Sequence, residues 1–215
     1  MSDRPFRPNE EKWNSRSHAL GFLLSAIGLP FLIVNAVERG DTWHIVGCAV
    51  FGACLTATLG ASALYHGCFR PNLRKWLRTV DHASIFILIA GAYTPFCISS
   101  LKGPLGWNLF GVAWSVALVG AVLKIFFTGR FDRLFLFLYL AFGWMCVIAL
   151  GPMMDRMFPG TIAWLVGAGV FFTTGTVFYS LDNRRGFHFA WHLFVMAGCA
   201  CLWAAVFNEI PHAVA

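Results

Sequence analysis

Seven apolar runs, each near 20 residues long and divided by short polar joints, limit this chain more than any other feature it has. A bilayer's hydrocarbon core is crossed by about 20 consecutive apolar residues of helix. Backbone polar groups inside lipid must be satisfied within their own segment, which excludes open sheet. The pattern predicts an all-α integral membrane protein, a bundle of seven transmembrane helices in one domain over residues 1–215. The expected spans are at about 17–37, 43–66, 79–100, 105–127, 132–151, 160–180 and 187–208. A composition of 58% hydrophobic and 12% charged residues agrees. The first run, Ala19 to Val37, follows several basic residues as a signal peptide would, but it is too long for an h-region and is expected to stay as a span.

Basic residues set the expected orientation. With a cytoplasmic amino end, the inner segments hold Arg4, Arg7, Lys12, Arg16, Arg70, Arg74, Lys75, Arg78, Lys124, Arg130, Arg133, Arg184 and Arg185, against Arg39, Lys102 and Arg156 outside. That bias predicts the N-terminus in the cytoplasm and the C-terminus outside. It also accounts for the net charge of +6 without a nucleic-acid partner. Trp13, Trp43, Trp76, Trp107 and Trp164 fall near span ends, as interfacial anchors do. Seven cysteines without CxxC spacing read as packing residues. A stripe of Ala49, Ala53, Ala57 and Ala61 predicts a close helix contact. Pro95 is expected to kink or end span three, and the aromatic run Phe135 to Tyr139 to pack in the core or face lipid, or else to line a lipid cavity.

The topology brings one set of polar residues to one depth. Span two ends through Ser62 and His66, span three begins through Asp81 and His82, and span seven begins with His188 and His192. Residues four apart share a helix face, so Ser62 with His66 and His188 with His192 can both point inward. Three imidazoles and one carboxylate converge at the cytoplasmic edge, while His44 and His212 fall on the other side. His82, one step round the helix, is expected to point elsewhere, either behind the site or to the membrane interface. Ionisable residues within spans are functional candidates because lipid makes them costly. Imidazole and oxygen donors without cysteine favour Zn2+, although affinity order alone leaves copper and nickel open, and three imidazoles with an open position are the catalytic zinc arrangement. In that reading Asp81 accepts a proton from water and Ser62 donates to the developing oxyanion.

Glu11 with Asn14 and His18, Ser62-x3-His66, Asp81-His82 opening a span that ends Gly91-Ala92-Tyr93-Thr94-Pro95-Phe96, and His188-x3-His192 occur here in one order. Together they resemble the hemolysin III family, bacterial relatives of the progesterone and adiponectin receptors, over almost the whole chain. The resemblance implies seven helices with a cytoplasmic amino end, and zinc held by His66, His188 and His192 with Asp81 contributing through water. It implies residence in a bacterial inner membrane and kinship with integral-membrane alkaline ceramidases. Two functions follow as expectations. One is a zinc-dependent hydrolase of lipid amides or esters, with Asp81 and Ser62 catalytic and a membrane lipid as partner. The other is a non-catalytic sensor or regulator with a structural zinc. The cytolysis in the family's name has no counterpart in the sequence, which lacks amphipathic strands for a barrel.

Overall fold

The computed structural model describes residues 5–210, so Arg4 and His212 lie outside the described residues. Among these there is no strand. Seven helices are long and apolar enough to cross a membrane: α1 Pro8–Arg39, α2 Thr42–Gly67, α3 Pro71–Leu101, α4 Gly103–Phe127, α5 Asp132–Arg156, α6 Pro159–Ser180 and α7 Phe187–Glu209. The protein is an integral membrane protein.

Local chemistry sets the helix starts. Proline occupies the first turn of α1, α3, α4 and α6, where its missing N–H leaves no bond unmade. Asp41 caps α2, accepting from the backbone of Trp43 at 2.9 Å and His44 at 3.1 Å, while the His44 ring reaches back to the Asp41 backbone. Two helices extend well beyond the runs expected of them. α1 starts at Pro8 and α3 at Pro71, because both carry polar amino-terminal turns that apolar periodicity does not register. In α1 the acidic pair Glu10 and Glu11 falls in the first turn, where the helix dipole favours it.

Pro95 neither ends α3 nor leaves it regular. It has no N–H to donate, and the chain continues from Phe96 to Leu101 as a wider π-helical turn, with the Ser99 hydroxyl donating to the Pro95 carbonyl. α5 tightens instead, into 3-10 turns over Trp144–Ala149.

α1, α2, α3, α5, α6 and α7 follow one another round a ring that closes where α7 meets α1, and α4 packs against the outside of α3. The expected alanine contact on α2 is not made, since Ala53 and Ala57 are exposed. The packing face of α2 runs instead through Phe51, Gly52, Leu55 and Leu59. Close approach there depends on glycine: a Cβ on Gly52 would meet Leu29 at 2.3 Å, and one on Gly47 would meet the Pro95 backbone at 2.7 Å. Trp13, Trp43, Trp76, Trp107 and Trp164 all lie exposed on the bundle surface. Inside the ring, between α2, α3, α5, α6 and α7, runs a cavity of about 260 Å³ with mainly apolar walls.

Candidate metal centre

His66 ends α2 and His188 begins α7, so two helix termini bring imidazoles to one end of the bundle. Gly186 makes the second of these possible, because it precedes α7 with φ of 82°, a backbone conformation open to glycine. His192 lies one turn further along the same face. The ring centroids stand 4.6 Å (His66 to His192), 5.0 Å (His188 to His192) and 5.2 Å (His66 to His188) apart. All three side chains are buried, and their ligand atoms lie within 4.8 Å of one another, close enough to share one metal ion. Among the described residues this is the one group of three or more metal-ligating side chains so arranged.

Carboxylates stand behind two of the imidazoles. Glu11 Oε2 lies 2.7 Å from His66 Nδ1, and Asp182 Oδ2 lies 3.4 Å from His188 Nδ1. A carboxylate hydrogen-bonded at Nδ1, as Glu11 is at His66, fixes the proton there and leaves Nε2 as the ligand atom. Glu11 is itself fixed by Arg74, whose guanidinium donates to its Oε2 at 2.6 Å and to the backbone carbonyls of Tyr65 and Cys68 at 2.9 Å. One arginine thus ties the start of α1 to the end of α2 and to α3. Next along α1, Glu10 Oε2 accepts from the Gly186 backbone at 3.3 Å, anchoring the turn that presents His188. His18 stacks on His192 at 3.9 Å.

Asp81 and Ser62 are buried and line the same cavity as the three imidazoles. Their side chains interact with each other, and neither belongs to the close imidazole group. Of the two places expected for His82, behind the site or at the membrane interface, the interface is not the one it takes. It is buried, lines the cavity too, and its carbonyl accepts from the Tyr139 hydroxyl at 2.8 Å. The aromatic run on α5 divides three ways: Phe135 is buried, Phe137 is exposed, and Leu136 and Tyr139 face the cavity. His44 sits at the opposite end, serving the α2 cap.

In the sequence Glu11, Asn14 and His18 stand out only through the family resemblance, Arg74 only as one of the inner basic residues, and Asp182 not at all. Spacing of four along α1 could have placed Asn14 and His18 on one face. Nothing local in the sequence links Glu11 to His66, 55 residues away.

Residues 6–203 match the family model described as haemolysin-III related. The chain is 38% identical over 201 residues to a Hemolysin-3 homolog of Bacillus subtilis (strain 168), covering 94% of each chain. It is 33% identical over 205 residues to Hemolysin-3 of Bacillus cereus, covering 95% of this chain and 94% of that one. With its length matched almost end to end and its polar centre built from the residues that carry the family's motifs, this chain belongs to the haemolysin-III-related family.

Proposed function

We propose that the protein is a zinc-dependent intramembrane hydrolase of lipid amides or esters, resident in a bacterial inner membrane with its centre near the cytoplasmic face. The observation that carries this reading is a buried group of three imidazoles sharing a mainly apolar cavity with Asp81 and Ser62, which stand outside the group. The donor set fits zinc: three nitrogens, no thiolate, and carboxylates behind His66 and His188 of the kind that hold zinc-binding imidazoles in register. Held by His66, His188 and His192, zinc would supply a Lewis acid and lower the pKa of a water to about 7.

The chain's own residues supply the rest. The Asp81 carboxylate accepts the proton of the attacking water and returns it to the amine or alcohol that departs as the acyl C–N or C–O bond breaks. The Ser62 hydroxyl, beside it, donates to the oxygen that gains charge at the acyl carbon. Leu88, Ile89, Leu136 and Phe172 on the cavity wall take the acyl chain and exclude bulk water from the carbonyl. A second reading, a sensor in which zinc only staples α2 to α7, draws on the origin of all three imidazoles in those two helices. Zinc-loaded protein incubated with a panel of amide and ester lipids separates the two. Fatty acid release that stops on zinc removal supports the hydrolase; zinc-dependent stability with no release from any lipid supports the sensor.

A further inference from the structure

Lys124 lies in the last turn of α4, at the bundle end that holds the imidazoles, yet its side chain is only 1% exposed. A lysine near a span end ordinarily extends to the headgroup region, with its ammonium in water. This one turns inward and lines the cavity. Its Nζ lies 3.1 Å from Asp132 Oδ1 and 4.1 Å from the Phe135 ring centroid. Arg78 approaches the other oxygen of the same carboxylate, with Nη2 3.1 Å from Asp132 Oδ2. Gly129, with φ of 78°, closes over Arg78: a Cβ there would lie 3.3 Å from Nη1. Arg78, Lys124, His82 and the three imidazoles line one cavity.

Asp132 of α5 meets Arg78 of α3 through one oxygen and Lys124 of α4 through the other, so one carboxylate faces two cations. Lys124 offers three N–H donors and Arg78 five. Among the described residues, one from each goes to Asp132 and no other hydrogen bond is made by either group. Both residues line the cavity, whose walls are mainly apolar, and the Lys124 side chain is almost wholly buried. The charged side chains on that wall are Arg78, Lys124, Asp81, Asp132 and Asp182. Within the cluster itself, Arg78 and Lys124 against Asp132 leave one positive charge in excess. An anion with several acceptor oxygens meets both requirements, neutralising the charge and accepting the spare donors. A phosphate does this better than a carboxylate, since its oxygens can engage an ammonium and a guanidinium together without displacing Asp132.

We infer that Arg78 and Lys124 form a subsite for the headgroup phosphate of an acyl lipid, holding it at the mouth of the cavity while the acyl chains lie along the apolar wall. This deepens the hydrolase reading and rests on it for the substrate's role: the substrate class becomes phosphate-bearing acyl lipids, as opposed to neutral lipid amides. Arg78 binds from the more exposed side and Lys124 from within, at 23% and 1% exposure.

Binding of a lipid that cannot be hydrolysed tests the subsite apart from catalysis. Zinc-loaded full-length protein in neutral detergent is titrated with an ether-linked phosphatidic acid, with the ether-linked glycerolipid lacking only the phosphate, with a fatty acid of equal chain length and with inorganic phosphate. Bound lipid is counted by native mass spectrometry. The phosphate lipid is expected to bind saturably and at least tenfold more tightly than the other three. Arg78→Gln is expected to weaken it at least fivefold, and so is the pair Lys124→Met with Asp132→Asn, which leaves no lone buried charge. Lys102→Gln, at the opposite end, should bind as the wild type does. Equal binding of the neutral lipid or the fatty acid overturns the inference, as do equal binding of inorganic phosphate and undiminished affinity in Arg78→Gln. Should the paired variant fail to fold, Arg78→Gln and the four wild-type titrations decide. Phosphate-selective binding without fatty acid release from the ester form would refute the hydrolase alone, and release without phosphate selectivity would refute the subsite alone.

Discussion

The carboxylate of Glu11 lies 2.7 Å from Nδ1 of His66, although α1 and α2 carry these residues 55 positions apart. Both side chains are almost wholly buried. The contact explains why α1 extends as a helix back to Pro8, beyond the apolar run that crosses the bilayer: its polar turns form the wall behind the imidazole centre.

Glu11→Gln keeps the size and a hydrogen-bonding group but removes the charge shared by His66 and Arg74. Zinc affinity is expected to fall about 10–100-fold, the usual effect of losing a partner behind a metal ligand. Competition against a chromophoric chelator measures it. Unchanged affinity would leave Glu11 a purely structural tie between α1 and Arg74.

Purified protein is expected to carry about one zinc ion per chain, and His66→Ala, His188→Ala and His192→Ala each to lose most of it, since two imidazoles make a far weaker site. His44→Ala, at the α2 cap, should keep its metal. Elemental analysis of protein purified without added zinc provides the count. Full zinc in all three site variants would mean that the histidines pack and do not ligate.

How far the sequence reveals this molecule depends on the range of each interaction. Lengths of apolar runs yield seven helices because the bilayer imposes them one segment at a time. The spacing of His188 and His192 yields a shared face for the same local reason. The amino-terminal turns of α1 and α3 escape this reading because they are held by tertiary contacts such as Arg74 to Glu11 and not by apolar periodicity. The alanine row on α2 misleads, since small residues pack tightly only where a neighbour approaches; here that occurs at Gly47 and Gly52. The inward turn of Lys124 depends on Asp132, from another helix, and leaves no trace in spacing.

Gly47→Ala would bring a methyl group to 2.7 Å from the Cα of Pro95, at the start of the widened turn of α3. Backbone cannot move aside as a flexible side chain can, so a loss of about 1–3 kcal/mol is expected, as for other overpacked interiors. Gly111→Ala, where nothing lies within 4 Å, should be near neutral. Unfolding of both variants in detergent compares them; equal stability would contradict the close α2–α3 contact.

Reporters placed at the amino end, in the joint at Phe69, at Arg130 and after Arg185 are expected to report cytoplasm, and one at the carboxyl end the outside. An odd number of spans requires the two ends to differ. Both ends on one side of the membrane would contradict seven crossings.

The central claim, that the centre does chemistry on a lipid, rests most directly on Asp81. Asp81→Asn alters size little and leaves the three imidazoles in place, while removing the group that accepts a proton. Wild-type and Asp81→Asn protein, matched for zinc content, are to be compared for fatty acid released from amide and ester lipids, by mass spectrometry. The account predicts that the variant keeps most of its zinc and its fold but loses turnover by about 10²–10⁴-fold, the usual contribution of a general base. Equal turnover in the two proteins would contradict it, and so would loss of zinc and thermal stability together in Asp81→Asn with no fatty acid released by either.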